Sequence, residues 1–432
     1  MKYRSTRSDP REVSLSEAMR EGLAPDGGLY VPAGLPRAQA RGGETTLAGV
    51  AVPLLAPFFA GDPLERELAG IVDEAFVFPT PLRAVEAHGG PLSVLELFHG
   101  PTAAFKDLGA RFLAACLARA TPGSSRPLTI IVATSGDTGG AVAAALHRRP
   151  GFRVVLLYPA GRVAPLQERQ LCCWDDNVTT CAVQGSFDDC QRLAKQAFAD
   201  PALQAALSMS SANSINIGRL LPQIVSFAAA SLQVEAAGGR PAGFIIPSGN
   251  LGHALACVWA REMGLPIGGI VLAHNANRTV PDYVESGQWR PRPSIATIAN
   301  AMDVGDPSNM ERIFHLYRDH KTLTARISAT SIDDDAIRNR IRAEASQAGW
   351  IPCPHTAVAA EVWHRMPEPE RRRLHWIVVA TAHPAKFPEV VEPLIGSALT
   401  PPPALAQLLG RPLRRTEIAA DLDALRALLV AA

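Results

Sequence analysis

Lys106 is the residue of this sequence whose surroundings most clearly indicate chemistry. It follows a break at residues 99–101 and stands in the first turn of a predicted helix, which Thr102 is expected to cap. The backbone N–H groups and the dipole at a helix N-terminus disfavour a cation. A lysine there is poorly placed as a charged surface residue and well placed as a neutral amine. Schiff-base chemistry with a carbonyl cofactor requires a desolvated lysine of lowered pKa.

Lysine is rare in this chain. Among the 432 residues there are 37 arginines and only five lysines, namely Lys2, Lys106, Lys195, Lys321 and Lys386. Arginine cannot form this imine, so a retained lysine is notable, but codon bias with a chance survivor is the better explanation of the count alone. The evidence that Lys106 has a chemical function must therefore come from its local context. Lys386 follows a proline turn and is compatible with a surface position.

Two glycine-rich loops could bind anions. Residues 134–140 follow an apolar run at 128–133, and residues 247–253 follow another at 243–247. Each loop leads into an alanine-rich helical stretch, and the N–H groups at such a helix start suit a phosphate or a carboxylate. A third polar loop begins at Thr381. Two such loops and a first-turn lysine indicate an anionic cofactor and an anionic substrate.

The elements that must position these loops follow an α/β pattern. Apolar, strand-like runs lie at 128–133, 153–158, 178–184, 243–247, 269–273 and 376–380. Helix-like stretches lie at 139–148, 187–198, 217–236 and 252–263. Strands without polar alternation, separated by helices, predict a mostly parallel sheet covered on both faces. Ligands in such folds bind at the carboxyl ends of the strands.

Four domains are expected along the chain. Residues 1–92 form an N-terminal α+β region, in which Ser14 caps one helix and Asp62 another. Then come a smaller α/β domain with the lysine and the first loop, a larger α/β domain with the second loop, and a C-terminal helical tail. Their predicted ranges are 93–212, 213–395 and 396–432.

Composition narrows the class of protein. The chain is 47% hydrophobic and 19% charged with a net charge of +1, so neither a nucleic-acid nor a membrane partner is expected. Its seven cysteines are odd in number and contain no C-x-x-C motif, which favours reduced thiols. The N-terminus has no apolar signal stretch. A cytoplasmic protein without a metal site is the prediction.

Several motifs together resemble the threonine synthases, in particular their long bacterial and fungal form. The matching segments are residues 5–7, 22–31, 99–107, 133–139, 213–216, 247–252, 301–303, 307–309, 354–357 and 381–387. The resemblance covers nearly the whole chain and implies an α/β fold of the tryptophan-synthase-β-like type (fold type II). Such a fold has two open, mostly parallel sheets covered by helices, with a small N-terminal region.

The resemblance implies a role for each loop. Lys106 would bind pyridoxal 5′-phosphate as a Schiff base, Thr381 would face the pyridine nitrogen, and Asp137 would lie near the phenolic oxygen. The residues implied for the cofactor phosphate are Ser248, Gly249, Asn250, Leu251, Gly252 and His253. Those implied for the substrate are Ser135, Gly136, Thr138 and Gly139 at its carboxylate, and Ser214, Asn216 and Arg219 at its phosphate.

Two positions depart from the family pattern. His253 stands where asparagine or aspartate is usual, although its backbone N–H can still serve, and Cys353 stands where an acidic residue is common. Other residues allow structural interpretations as well. His99 and His383 suit turns, Asp303 suits a helix cap, and Arg219 could lie on the solvent side of its helix.

The implied reaction converts O-phospho-L-homoserine and water to L-threonine and phosphate, in a monomer or homodimer. A phospho-lyase that stops at elimination and releases 2-oxobutanoate would use the same lysine and loops. A nucleotide-binding dehydrogenase or a non-catalytic phosphate-binding module is a more distant alternative. No strand-like run is followed by G-x-G-x-x-G with an acidic residue about 20 positions on, as a dinucleotide-binding site requires.

Overall fold

The computed structural model describes residues 1–38, 46–85, 90–121, 126–238 and 240–430. The strands are β1 (Tyr3–Ser5), β2 (Tyr30–Pro32), β3 (Leu82–Val85), β4 (Leu92–Glu96), β5 (Leu128–Ala133), β6 (Phe152–Pro159), β7 (Val178–Gln184), β8 (Ser208–Ser211), β9 (Ala242–Pro247), β10 (Ile267–His274), β11 (Ser328–Ser331), β12 (His375–Ala380) and β13 (Thr416–Ala419).

The α-helices are α1 (Leu15–Glu21), α2 (Leu47–Phe59), α3 (Leu68–Ala75), α4 (Lys106–Ala120), α5 (Asp137–Leu146), α6 (Pro165–Cys172), α7 (Phe187–Ala199), α8 (Pro201–Ala206), α9 (Ile217–Ala236), α10 (Gly252–Glu262), α11 (Thr279–Ser286), α12 (Met310–Leu316), α13 (His320–Thr324), α14 (Asp334–Ala343), α15 (Pro354–Arg365), α16 (Glu368–Arg373), α17 (Pro388–Ile395), α18 (Pro403–Leu409) and α19 (Leu422–Val430). Short 3₁₀ turns span Pro63–Glu67, Asn300–Met302 and Pro384–Lys386, and a π-helical turn spans Glu344–Ala348.

Two open sheets organise the chain. The larger has the strand order β11-β10-β9-β12-β4-β3, and all of its neighbouring pairs are parallel except β3 with β4. The smaller has the order β13-β7-β6-β5-β8 and is parallel throughout. Every residue of β5 and of β9 is buried, since helices cover both faces. The predicted fold of two open, mostly parallel sheets is confirmed.

The six strands and four helices for which the sequence pattern gave ranges all begin and end within two residues of the observed bounds. All six apolar runs are strands, and the alanine-rich stretches after the two glycine loops are helices α5 and α10. Ser14 and Glu17 form the predicted capping box, and the Asp62 side chain accepts the N–H of Leu64.

The C-terminal tail differs from the expected all-helical segment. Its strand β13 pairs in parallel with β7, and Ile418 is buried there. The reason is that β7 would otherwise be an unpaired sheet edge, which a short additional strand covers. Strand β4, assigned to the smaller domain, joins the larger sheet beside β12. The four-domain division itself stays a prediction, and residues 431–432 of the tail lie outside the described residues.

Helix α9 forms the centre of the core. Within the part of the chain that the structure describes, it is the one helix long and apolar enough to cross a membrane, but 94% of its apolar window is buried inside the protein. Packing against the surrounding helices therefore explains its composition. Arg219 and Gln223, two polar residues of this buried helix, both belong to the site described below.

Candidate active site

The start of α4 is tied to the loop that follows β12. The Phe105 N–H donates to the Thr381 carbonyl at 2.9 Å, and the His383 N–H donates to the Ala103 carbonyl at 3.0 Å. Ala103 has a positive φ of 55°, a conformation that non-glycine residues rarely adopt and that is often found at functional sites. These contacts bring Lys106 and Thr381, which are far apart in sequence, to the same edge of the larger sheet.

Thr102 does not cap α4, contrary to the sequence analysis. Helix α4 begins at Lys106, and its N-cap Phe105 makes no side-chain cap. The Thr102 hydroxyl instead donates to Asp107 Oδ1 at 2.7 Å, and its N–H donates to Asp107 Oδ2 at 2.9 Å. These hydrogen bonds join the loop to the buried carboxylate of Asp107. Burial raises the pKa of Asp107 and the hydrogen bonds lower it, and the resulting pKa is about 6.

Lys106 has the environment of a neutral amine. Burial lowers its pKa most, the Asp137 carboxylate opposes that effect, and the cations Arg219 and Lys386 lower the pKa further. No hydrogen bond or ion pair joins Lys106 Nζ to any other described residue. The nitrogen lies 5.7 Å from the ring centre of Phe105. The predicted amine character of Lys106 thus has a physical basis in this structure.

Lys386 is fully buried, so the surface position that the sequence allowed is wrong. Its Nζ donates to the Thr102 carbonyl at 2.7 Å and to Gln170 Oε1 at 2.6 Å, and lies 3.0 Å from Asp137 Oδ1. An ammonium group has three hydrogens, and these three acceptors use all of them. Lys106, not Lys386, is therefore the lysine with an available nitrogen at the site.

The loop after β5 leaves a small set of N–H groups available. Thr134 Oγ1 accepts the N–H groups of Gly136 at 3.0 Å and Gly139 at 2.9 Å. The N–H groups of Ser135, Asp137 and Thr138 have no acceptor among the described residues. Gly136 has a φ of 140°, and a Cβ there would lie 2.8 Å from the Gln167 side chain, so the loop requires glycine.

The loop after β9 leaves a larger set. Six consecutive N–H groups, of residues 249–254, have no acceptor within the described ranges. Leu251 has the left-handed φ of 62°, which turns the chain into α10. A Cβ at Gly249 would lie 2.8 Å from the Met302 Cα, so a side chain does not fit at this position. We call this set of N–H groups, and the smaller set after β5, the two N–H cradles. Convergent N–H groups at a helix start suit a phosphate dianion, so this loop fits the predicted cofactor phosphate.

Side chains around this loop hold its shape. Asn250 Nδ2 donates to Ser214 Oγ at 2.8 Å, and Asn250 Oδ1 accepts the Ser308 N–H at 2.6 Å. Ser248 Oγ donates to the Ile246 carbonyl at 2.8 Å. Ser214 Oγ accepts from Asn250 and from Asn309, so its own hydrogen stays available to a ligand.

His253 is a buried neutral side chain. It packs between Phe105 and Phe227, and its Nδ1 lies 2.7 Å from Gln223 Oε1. Burial lowers its pKa to about 3. Because Gln223 Nε2 donates to the Arg219 carbonyl, Oε1 faces the imidazole and Nδ1 carries the hydrogen. His253 Nε2 is then a buried acceptor without a hydrogen-bond partner among the described residues.

Arg219 is buried, so its solvent-side alternative is wrong. Nη1 donates to the Ala212 carbonyl, and Nε is buried without a partner among the described residues. Burial lowers the pKa of this guanidinium to about 10, and Asp107 raises it. An arginine with an unpaired donor near Lys106 could bind an anion.

Asn216 has a structural role that the sequence did not indicate. It caps α9: Oδ1 accepts the Gly218 N–H at 3.0 Å, and Nδ2 donates to the carbonyls of Met19 and Ser211 at 2.7 and 2.9 Å. Both amide hydrogens are thus in use. Its contact with a substrate phosphate stays a prediction and would require part of this cap to open.

Four other sequence candidates have structural partners. His99 Nε2 lies 2.8 Å from Glu96 Oε2. His383 Nδ1 accepts the Ala385 N–H, which agrees with a turn histidine. Asp303 is the C-cap of the 3₁₀ turn Asn300–Met302 through its backbone N–H, and its carboxylate accepts hydrogen bonds from Thr297, Asn275 and Asn277. Cys353 is buried and caps α15 through a sulfur that accepts the Thr356 N–H, the task an acidic residue could perform there.

The sequence analysis missed several polar residues beside Asp137. Gln167 Nε2 donates to Asp137 Oδ1 at 3.2 Å, and Gln167 Oε1 accepts from Asn300 Nδ2 at 3.0 Å. Asn300 Oδ1 is buried without a partner in the described part of the chain, as expected for an atom that faces a ligand. Gln167 and Gln170 are three residues apart on α6 and share one face, which was an available signal.

His355 is another neutral side chain at the site. Its Nε2 accepts the Ala301 N–H at 3.1 Å. Burial lowers its pKa to about 4, Asp137 raises it, and the two lysines lower it. Within residues 1–38, 46–85, 90–121, 126–238 and 240–430, no group of three or more His, Cys, Asp or Glu side chains could hold a metal ion.

Three family models match this chain and together span nearly all of it. The family described as pyridoxal-phosphate dependent enzyme matches residues 74–378. The families described as threonine synthase N terminus and threonine synthase, C-terminal match residues 2–76 and 356–429. The chain is thus a pyridoxal-phosphate-dependent enzyme with the α/β fold described above.

Individual relatives narrow the family further. The threonine synthase of Escherichia coli strain K12 is 39% identical over 441 residues, which cover 100% of this chain and 99% of the relative. The crystal structure of the Escherichia coli enzyme has a TM-score of 0.90 and covers 100% of both chains at 38% identity. A pyridoxal-phosphate-bound threonine synthase from Brucella melitensis has a TM-score of 0.89 and 34% identity, covering 99% of this chain and 98% of its own. The chain belongs to the threonine synthase family.

Proposed function

We propose that this chain converts O-phospho-L-homoserine and water to L-threonine and inorganic phosphate. The observation that carries the proposal is the position of one unpartnered lysine amine, Lys106, beside two separate N–H cradles. One cradle suits the cofactor phosphate and the other suits the carboxylate of an amino-acid substrate. The buried Arg219 supplies a third anion site, as a substrate with both a carboxylate and a phosphate requires.

The residues divide the binding task. Pyridoxal 5′-phosphate supplies a carbonyl that reacts with an amine and a ring that withdraws electrons from the bonded carbon. The N–H groups of residues 249–254 would hold its phosphate, and Thr381 would lie at its ring nitrogen. The N–H groups of Ser135, Asp137 and Thr138 hold the substrate carboxylate. The Ser135 and Thr138 hydroxyls can add to that contact.

Proton transfer falls to Lys106. A neutral amine accepts a proton near neutral pH, and the lowered pKa of Lys106 favours that form. The same nitrogen can take the α-proton of the substrate and later serve at the β-carbon. Arg219 and Ser214 orient the leaving phosphate, and the buried walls around the site limit the access of water during elimination.

The proposal includes the setting of the enzyme. We infer a cytoplasmic protein whose partner is the small-molecule substrate, in a monomer or homodimer. All seven cysteines are buried free thiols, which agrees with the reducing compartment that this proposal requires.

Borohydride trapping tests the cofactor assignment. The holoenzyme is reduced and digested, and the modified peptide is identified by mass. We expect the cofactor on Lys106, and we expect Lys106→Ala to lose the reducible visible band and the activity. Lys321→Ala is the matched control, since Lys321 is an exposed lysine. Attachment to any other lysine would refute the assignment.

Product analysis tests the reaction. With O-phospho-L-homoserine as substrate, we expect threonine and phosphate in equal amounts. A phospho-lyase would release 2-oxobutanoate instead. A protein without a visible cofactor band would point to the nucleotide-binding or non-catalytic alternatives.

A further inference from the structure

The site contains two lysines that share one carboxylate. Lys386 Nζ lies 3.0 Å from Asp137 Oδ1 and is 0% exposed. Lys106 is close enough to Asp137 to feel its charge, yet makes no ion pair with it. One buried carboxylate oxygen that pairs closely with one lysine leaves the other lysine without an ion pair. Which lysine takes the carboxylate therefore decides which lysine nitrogen stays unpaired.

Geometry assigns the carboxylate to Lys386. The Lys386 ammonium also donates to the Thr102 carbonyl, in the loop before α4, and to Gln170 Oε1 on α6. It thus connects three elements around the site with a complete set of hydrogen bonds. Gln167 donates to the same Asp137 oxygen and fixes the carboxylate from the other side.

We infer that Lys386 is a positioning residue that occupies the Asp137 carboxylate and so leaves the Lys106 nitrogen unpaired and available to the cofactor aldehyde. The inference rests on the proposed function only in taking Lys106 as the cofactor lysine. No contact between Lys386 and the cofactor is required, since Lys386 acts through Asp137.

Charges on every side of Lys106 support this arrangement. Asp137 on α5 raises the pKa of Lys106, whereas Arg219 on α9 and Lys386 lower it. His355 on α15 is neutral because burial lowers its pKa to about 4. Burial alone would raise the pKa of Asp137, but Lys386, Lys106 and His355 together hold it below its usual range. Without Lys386, Lys106 is the other lysine among the described residues whose charge acts on Asp137, so it becomes the partner for this carboxylate.

The reaction of Lys106 with the cofactor aldehyde makes a change in the pKa of Lys106 measurable. The amine nitrogen forms a bond to the aldehyde carbon, and the carbonyl oxygen leaves as water, so only the unprotonated amine reacts. Each unit of increase in the pKa of Lys106 lowers the reactive fraction about tenfold at a pH below that pKa. The rate of capture by the cofactor-free full chain thus reports the charge state of Lys106.

The test compares Lys386→Met, Asp137→Asn and the double variant as cofactor-free full chains. The rate at which Lys106 is labelled by pyridoxal and borohydride is measured from pH 6 to pH 10, by mass of the Lys106 peptide. We expect Lys386→Met to shift the apparent pKa of Lys106 upward by about one unit or more, which slows labelling at pH 7 about tenfold. The double variant should reverse most of that upward shift, because it also removes the carboxylate that raises the pKa of Lys106.

The variants also control for misfolding. Lys386→Met leaves a buried carboxylate unpaired and could fail to fold, whereas the double variant and Asp137→Asn leave no unpaired carboxylate there. Asp137→Asn keeps the Lys386 cation, so its Lys106 pKa should be no higher than the parent's. An upward shift in Asp137→Asn, or a double variant that labels as slowly as a folded Lys386→Met, would overturn the inference. An unchanged pKa in folded Lys386→Met would do the same.

Two further readouts separate the inference from the proposed function. Lys321→Met, at an exposed lysine, should label like the parent. If borohydride attaches the cofactor elsewhere, the proposed function loses its lysine. If the cofactor is on Lys106 but the folded variants share one labelling profile, only the role of Lys386 is refuted.

Discussion

The two glycine-rich loops follow the same plan but differ in how many N–H groups they leave available. Each ends a buried parallel strand and begins a helix, β5 to α5 in the smaller sheet and β9 to α10 in the larger. After β5, the Thr134 hydroxyl takes two of the N–H groups and three others stay without an acceptor within the described residues. After β9, six in a row have none within the same ranges.

This difference matches the size and charge of the two anions. A phosphate dianion has more oxygens and more charge to stabilise than a carboxylate, so it needs more converging donors. The left-handed Leu251 rotates successive N–H groups toward one point, whereas Thr134 ties Gly136 and Gly139 back to the loop itself. One strand–turn–helix plan thus gives two anion sites of different capacity.

Arg219 is the proposed ligand of the substrate phosphate, a third anion site besides the two cradles, and its loss should have the largest effect. Arg219→Ala removes a charge-assisted contact in a buried site, which should cost about 2–4 kcal/mol of transition-state binding, roughly 30- to 1000-fold in kcat/KM. Arg219→Lys should recover part of this because it restores the charge without the planar fork. The measurement is kcat/KM for phosphohomoserine together with cofactor absorbance.

If Arg219→Ala loses the cofactor, Arg219 supports the cofactor site, and the separation of the cofactor-phosphate and substrate-phosphate sites is wrong. Kinetics within a few-fold of the parent, with cofactor bound, would show that Arg219 is no ligand. Arg372→Ala is the matched control, because it removes the guanidinium of an exposed arginine on α16.

A pair of glycine substitutions tests the division between the two loops directly. In Gly249→Ala the new Cβ would meet the Met302 backbone at 2.8 Å, and in Gly136→Ala it would meet the Gln167 side chain at 2.8 Å in a strained backbone. Each distortion should cost about 1–3 kcal/mol, roughly 5- to 150-fold in affinity for the ligand of that loop.

The two variants should fail differently. Gly249→Ala should weaken cofactor binding, measured by absorbance titration, whereas Gly136→Ala should retain the cofactor and raise KM for the substrate. Gly161→Ala is a matched control, since Gly161 also has a positive φ but nothing within 4 Å of its Cβ position. If both loop variants lose the cofactor equally, the assignment of one anion to each loop is wrong.

The local elements of the site were more predictable than its side-chain partners. The strand ends, the glycine turns and the first-turn position of Lys106 follow from apolar runs and breakers, which act over a few residues. Lys386 could not be placed in this way because its partners Thr102, Asp137 and Gln170 are brought together only when the two sheets pack. Asn216 was assigned to the substrate phosphate by the family resemblance, and nothing in the local sequence shows that its amide donates to the Met19 carbonyl.

Replacing His253 should have the smallest effect of these substitutions, because the β9 loop is expected to bind the cofactor phosphate through its backbone N–H groups. This variant therefore tests whether that loop needs any side chain. The pKa of His253 is about 3 in the folded chain and about 6.5 unfolded, so the unfolded state binds more protons below pH 6.5. Stability therefore falls as the pH drops from 6.5 toward 3. Between pH 6.5 and 5.5 the loss should be about 1 kcal/mol, and His253→Asn should remove it.

Asparagine is the appropriate replacement because its amide can still donate to Gln223 Oε1 and it leaves the backbone N–H in place. Unfolding by urea at pH 6.5 and 5.5, for the parent and His253→Asn, isolates this residue from His274 and His355, whose buried side chains add to the parent's acid sensitivity. Cofactor affinity should stay within a few-fold of the parent. An equal acid loss in both proteins would contradict the neutral His253, and loss of the cofactor would show that the loop depends on this side chain as well as on its N–H groups.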